Sequence, residues 1–449
     1  MKIAALFTAA SLSIAAPVTA EVITREQNVR PLPGGLDAVL MVNDNNPELI
    51  KDDGILLSTF PDAGPSSIPI PLVGRFDLFS HHVYAGDEEA SPESTLWLAV
   101  LVEPLDDQPV TLRLLEGSTS LSQATEKGQT QAPFLPLPKL MRESTAAVAA
   151  GPGSRVAGDL LAGRRAQELN TTNWTLEPGH PTRIIQLPIP VSGLDPLLNG
   201  RNLQLRLESS AAVAIATLAA HGDNNKPPTE KQWLALLKSG KLSSKEHRPT
   251  PRNSKGKIIY SRVSGVQVGS RWSTRITDPG STVLSAPAKT ISWPISSLER
   301  GTLSTGQVQT AELQTHYPGT AWAAHGNYGV EYDITLPLKN TGTKPTLLSL
   351  SLDSPLKGNR NLQSLRFRSD SNGPVMFRGP LQISGLSSPD GQSLGRQTVH
   401  LVLRRGQQGP SLGQVKLSPG ERKDVRVRMI YPADATPPQV LTLQPVKQS

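Results

Sequence analysis

Apolar residues in this chain come in short runs that alternate with polar ones at every second position, and proline or glycine breaks the runs at close intervals. Leu203, Leu205 and Leu207 point one way while Gln204, Arg206 and Glu208 point the other. Val425, Val427 and Met429 alternate with Arg426 and Arg428, and Leu365 and Phe367 with Arg366 and Arg368. A period of two belongs to strands with one apolar and one wet face, the habit of antiparallel sheets. Thr95 to Val102 is a continuous apolar run and reads as a central strand. With 40 Pro and 37 Gly in 449 residues, turns are frequent and long helices few. The pattern predicts an all-β, mainly antiparallel protein: two β-sandwich-like domains with one or two short helices.

One helix carries its own boundary signals. Thr229 is an N-cap with Gln232 three residues on, Trp233, Leu236 and Leu237 form an apolar stripe, and Gly240 closes it. A second is expected from Ser154 to Ala162, with Ser154 as its cap. Two pairs of segments look alike. Leu98–Leu115 and Ile334–Leu352 each read strand, polar turn, proline, strand; Thr175–Leu187 and Val415–Ile430 each place Pro-Gly before a strand. These likenesses suggest either two related β domains or convergent turn chemistry, with convergence the favoured reading. The polar, basic stretch after Gly240 reads as the linker between the two domains. The expected organisation is 1–20 targeting segment, 21–71 extended N-terminal arm, 72–240 first sandwich-like domain, 241–257 linker, 258–449 second.

Met1-Lys2, the apolar run Ile3–Ala16 and the small-residue site Val18-Thr19-Ala20 form a secretory signal peptide, with cleavage expected after Ala20. No later run reaches the ~18 apolar residues of a spanning helix, so no transmembrane segment is expected in the mature chain. The expected location is the periplasm or the cell surface. Cysteine is absent, which excludes disulfides, thiolate metal sites, cysteine nucleophiles and a lipoprotein anchor.

Charge is uneven within a formal net of +7. Phe76–Leu112 holds eight acidic residues and no Lys or Arg; Lys357–Ile430 holds 13 basic and four acidic. This reads either as solvated strand faces or as a basic face for a partner, an anionic envelope polysaccharide or another envelope protein. Nucleic acid is disfavoured, because the chain is exported and no aromatics interleave its arginines. If the strands bearing Arg366, Arg368, Arg426 and Arg428 are neighbours, four guanidiniums share one surface. Carboxylates or an external polyanion must then compensate them.

Catalytic and metal-binding constellations are missing from the sequence. G-x-S-x-G occurs at Gly391–Gly395 and Gly409–Gly413, but neither precedes a helical pattern, and both read as hairpin loops. Asp77, His81 and His82 fall close together; adjacent strand residues face opposite ways, so the two histidines cannot chelate one ion, and a structural role is favoured. No cofactor motif is present. Arg155 lies in Gly151–Arg155, which would offer an anion a helix N-terminus. Arg271 beside Trp272 suits a sugar or carboxylate, with core-edge packing the alternative. His325, among glycine and small residues, belongs to a turn or lines a cleft.

The strings VRPLPGGLD (29–37), GILLSTFP (54–61), GRFDLFSHH (74–82), GPGSR (151–155), GVQVGSRW (265–272), RGTLSTGQ (300–307), AHGNYGV (324–330), LRRGQQG (403–409) and YPADATPPQVLTL (431–443) occur in order along the chain. Together they resemble a family of exported cyanobacterial proteins known only as a domain of unknown function. The resemblance implies a photosynthetic bacterial source with an outer membrane, and one long unit rather than two domains. It transfers no activity. The reading that follows is a non-enzymatic, exported envelope protein that binds or packs. The alternatives are a hydrolase or lyase on envelope polysaccharide, which needs two converging carboxylates, and a periplasmic chaperone using exposed sheet edges.

Overall fold

The computed structural model describes residues 21–446 except 63, 87–93, 124, 127–128, 131–150, 257, 260, 359–360 and 371. The targeting segment, its cleavage site at Ala20 and four members of the acidic run (Asp87, Glu88, Glu89 and Glu93) lie outside the described residues. The alternating runs form mostly antiparallel sheets arranged as two sandwiches, and the described residues hold two α-helices.

The first sandwich is organised by one 24-residue strand, Leu198–His221. Its first half lies between Leu72–Ala85 and Val110–Leu121. The register shifts between Ser209 and Val213, and the second half lies between Thr95–Pro104 and Gly54–Ser58. One strand thus passes from one layer into the other, with a bulge taking up the bend. Between the layers sit Phe76, Leu78, Val100, Val102, Leu112, Leu205 and Ile215, all buried. The run Ala211–Ala220 is covered on both sides. Helix α2, Glu230–Ser239, lays Trp233 and Leu237 on Ala214, Ala216, Leu218 and Ala220. Small alanines let the helix approach closely. The Thr229–Gln232 capping box is formed, and Gly240 takes the left-handed conformation as its position requires. Trp233 is fully buried and donates its indole N–H to Gln186. Truncating it to Ala costs about 3–5 kcal/mol.

The second sandwich faces two sheets across Tyr332, Leu336, Leu350, Phe377, Val427 and Leu441. One sheet runs Gln397–Arg404, Val375–Ser384, Arg422–Ile430, Glu331–Lys339, Arg271–Arg275, Gly35–Leu36. The other runs Asn28–Val29, Ile291–Ile295, Gln439–Pro445, Thr346–Asp353, Ser411–Leu417. The look-alike pairs Leu98–Leu115 and Ile334–Leu352 each hold two strands that share no ladder with one another; Glu331–Lys339 and Thr346–Asp353 lie in different sheets.

Two expectations of organisation are corrected. The segment 21–71 is not a separate extended arm: Val22–Glu26 pairs with Ser364–Arg368, Asn28–Val29 with Ile291–Ile295, and Leu40–Leu49 lies within the first sandwich between Leu72–Ala85 and Val263–Val268. Nor does the chain divide at 241–257. Val263–Val268 and Leu313–His316 complete the first sandwich's sheet, while Gly35–Leu36 belongs to the second. Main-chain hydrogen bonding, which sequence pattern does not encode at long range, decides this interleaving.

Helix α1, Pro152–Leu161, joins the sandwiches. Val156, Ala157, Leu160 and Leu161 pack on Ile430 of the second, and Ser118 of the first donates to Asp159 at 2.9 Å. Ser154 does not cap this helix; its hydroxyl turns back to the Gly151 carbonyl. The cap is Asp434, whose carboxylate accepts from the Ser154 amide at 2.5 Å. A side chain on Gly151 would meet the Asp434 carboxylate, and one on Gly153 would meet the backbone of Ala433. The anion for which Gly151–Arg155 was shaped is therefore a residue of the same chain. Among the described residues no helix is long and apolar enough to cross a membrane.

Candidate functional site

The densest collection of charged side chains lies where the sandwiches meet. Six strands converge there from opposite sides: Leu72–Ala85, Val110–Leu121 and Leu198–His221 from the first, Arg271–Arg275, Glu331–Lys339 and Arg422–Ile430 from the second. Arg206 donates to Glu331 at 2.7 Å and to Glu116 at 2.7 Å, and lies 3.9 Å from Asp77. Glu331 also accepts from Arg428 at 2.8 Å and faces Arg271 at 3.5 Å. Asp333 receives Arg426 in a two-pronged pair, both contacts at 2.6 Å, and pairs with Arg271 as well. Four carboxylates thus meet four guanidiniums, with Arg75 beside Asp77.

Burial alone would raise the Glu331 pKa, but Arg206 and Arg428 overcome it and hold the carboxyl below its usual range. Asp333 follows the same rule, with Arg426 and Arg271 overcoming its burial. Asp77 is the exception. Burial pushes it up to about 6, against the pull of Arg75 and Arg206. A raised carboxyl beside a second carboxylate is what a glycoside-cleaving pair would require. Asp77, however, is completely inaccessible, and Glu331 is 2% exposed and clamped by arginines. No sugar chain can reach either.

The expected site residues separate. Arg271 and Trp272 face opposite sides of their strand: Arg271 joins the ion cluster, whereas Trp272 stacks on Tyr332 in the core and donates to the Pro33 carbonyl. The Arg-Trp sugar platform is therefore not formed, because neighbouring strand positions alternate. Asp77, His81 and His82 also diverge. His82 lies fully buried, 2.9 Å from Asp44, which accepts from Thr217 at 2.6 Å. A nucleophilic triad needs its histidine between carboxylate and hydroxyl; here the carboxylate is in the middle. His81 turns instead into a cleft between the sandwiches that His325 also lines. Among the described residues no group of three or more His, Asp or Glu could hold a metal ion. Arg155 donates to the Leu121 carbonyl at 2.9 Å. The repeated G-x-S-x-G strings lie in the turn before Gln397 and at the start of Ser411–Leu417, with no helix after either.

The four-arginine ladder is not built. Ser364–Arg368 pairs with Val22–Glu26, far from Arg422–Ile430, which lies between Val375–Ser384 and Glu331–Lys339. Arg426 and Arg428 are neutralised inside the molecule. Among the described residues Arg366 donates to the Gly358 carbonyl, and Arg368 pairs with Asp370 at 2.8 Å. Around these two lie the exposed Arg404 and Arg405, and Lys357, whose side chain reaches both solvent and the cleft wall: Gly406 packs on Arg368, and the desolvation of the Lys357 ammonium against that wall, then the nearby Arg405, lower its pKa. Of these five cations, only Arg368 has a carboxylate partner among the described residues. Sequence reasoning missed Lys357, Arg404 and Arg405; the double arginine at 404–405 was the available signal.

With that geometry described, comparison with known proteins adds the following. The family described as "Protein of unknown function (DUF3370)" matches residues 27–445. The chain belongs to this family. DUF3370 thus spans both sandwiches and both helices, consistent with the interleaving of the strands. A search of the curated proteins found no match. Among solved structures, the N-terminal CBM22-1–CBM22-2 tandem domain of Paenibacillus barcinonensis Xyn10C is similar at 9% identity and a TM-score of 0.14, covering 89% of this chain and 100% of that one. The Macrobrachium rosenbergii nodavirus structure follows at 11% and 0.12, covering 99% and 96%. At these TM-scores neither likeness carries an argument about the DUF3370 chain.

Proposed function

We propose that this protein is an exported, non-catalytic component of the cell envelope that holds an anionic envelope polysaccharide on the basic end of its second sandwich. The observation that supports this is the cluster of Lys357, Arg366, Arg368, Arg404 and Arg405, supplied with one carboxylate among the described residues, whereas Arg206 and Arg428 at the junction of the sandwiches are each paired with acids. Guanidiniums whose internal partners are mostly main-chain carbonyls rather than carboxylates, as with Arg366 on Gly358 and Arg404 on Gly373, keep the charge that recognises phosphate and carboxylate groups on a polymer. Export rests on the N-terminal signal.

The test is retention of the mature protein on an acidic polysaccharide column under a salt gradient. Replacing Arg366, Arg404 and Arg405 by Gln is expected to abolish salt-sensitive retention and leave the melting temperature unchanged. Retention equal to that of the parent overturns the reading. N-terminal sequencing of exported material is expected to begin at Glu21.

A further inference from the structure

We propose that the cleft between the two sandwiches lined by Asn45, His81, His325, Tyr328, Lys357 and Thr436 binds a small oxyanion, a phosphate or carboxylate group. The cleft has a volume of about 230 Å³. Its walls come from both halves of the molecule. Asn45 and His81 are register partners on adjacent parallel strands of the first sandwich, so their side chains share a face. His325 and Tyr328 come from the turn before Glu331–Lys339, and Thr436 from the turn after Arg422–Ile430. Lys357, a member of the basic cluster, also lines the cleft.

The lining is one-sided in its chemistry. It offers an amide, two imidazoles, a hydroxyl and an ammonium, and none of the described residues lining it is acidic. His81 Nδ1 is buried with no hydrogen-bond partner. Such a nitrogen costs free energy unless a ligand satisfies it. Burial pushes both His81 and His325 down to about 4, and His82 pushes His81 in the same direction. Burial, then Arg405, lowers Lys357. Among the described residues no carboxylate contributes to the His81 or Lys357 shift, and none lines the cleft, so a bound anion would supply a charge the lining lacks.

The walls are rigid. Tyr328 stacks on Phe79 across the sandwich boundary with ring centroids 6.4 Å apart, and its hydroxyl donates to the Ala435 carbonyl. Gly329, at φ +78°, lets the turn press against Phe79, where any side chain would clash. A preformed pocket at the junction of two halves is where small ligands are commonly held.

The inference stands apart from polymer retention, since a single anionic group can occupy the cleft without a chain crossing the surface. The experiment titrates the mature protein with inorganic phosphate and, separately, with acetate, while the histidine ring signals are followed by NMR. Saturable binding that shifts His81 and His325 is expected from at least one probe. Phosphate alone saturating assigns a phosphate ligand, acetate alone a carboxylate, and both the shared chemistry. His81→Gln and, as a milder second variant, Thr436→Val are each expected to weaken binding roughly tenfold with polysaccharide retention unchanged. Arg366→Gln is expected to do the reverse. Absence of saturation with both probes overturns the inference, as does saturation that leaves the two histidines unmoved or both cleft variants at parental affinity.

Discussion

Two strands carry the same arrangement of arginines and meet opposite fates. In Arg422–Ile430 and in Ser364–Arg368, arginine alternates with buried apolar residues at period two. The first is an interior strand of its sheet, beside a strand that alternates Glu331 and Asp333 at the same period. Arg428 therefore sits opposite Asp333 and diagonally from Glu331, and the face is closed by Arg206 from the other sandwich. The second forms a two-stranded ribbon with Val22–Glu26, which sets Thr24 opposite Arg366 and Val22 opposite Arg368. The lesson is that an alternating basic strand is structural or available according to its neighbour in the sheet.

Breaking the interior arrangement has the largest expected effect. Glu331→Gln leaves Arg206 and Arg428 desolvated and short of charge, and is expected to destabilise by about 3–5 kcal/mol in chemical denaturation. The same variant tests pH dependence. Because the folded-state pKa of Glu331 is depressed, its contribution is present above the unfolded value and disappears as pH falls through the folded one. The cost of the substitution is therefore expected to shrink under acid.

Asp77 sharpens the comparison with the opposite sign. Its folded pKa, about 6, lies above the unfolded value, so its contribution is full below about pH 4 and lost as pH rises through 6. Asp77→Asn is expected to gain stability relative to the parent between about pH 4 and pH 7. A constant difference over that range would show that the carboxyl does not titrate there. Arg426→Gln removes a pair whose arginine is 46% exposed, and about 1 kcal/mol is expected after solvent screening. Arg366→Gln, on the open ribbon, is expected to fall within about 0.5 kcal/mol of the parent. A cost for Arg366 as large as that for Arg426 would erase the distinction between the two strands.

Sequence made the local features legible. Strand periodicity, the Thr229–Gly240 stretch with its cap, stripe and glycine, and the buried run Thr95–Val102 all depend on residues within a few positions of one another. Wet faces were less legible. Gln204 and Arg206 alternate with leucines as solvent-facing residues do, yet they are 1% and 9% exposed, because the second sandwich covers them. The signal was there in the matching charge of EYDIT at 331–335 and RVRMI at 426–430, but periodicity alone does not select partners. The short strands Asn28–Val29 and Gly35–Leu36 gave still less, since two residues carry no period and their partners lie hundreds of positions away.

The threading of the chain through the second sandwich also sets its timetable. Asn28–Val29 forms its ladder on Ile291–Ile295, whose other neighbour is Gln439–Pro445, the last strand described. Asn28–Val29 leaves the ribosome long before Gln439–Pro445, so the earlier strand must wait for the later one before their shared sheet is complete. Contacts of such sequence separation make for slow folding, on the scale of milliseconds to seconds or longer. A chain that cannot complete its second core until Gln439–Pro445 has been made keeps that core open through most of its synthesis. A chain cut short before Gln439 would leave Ile291–Ile295 as a bare edge, inviting adhesion to other chains.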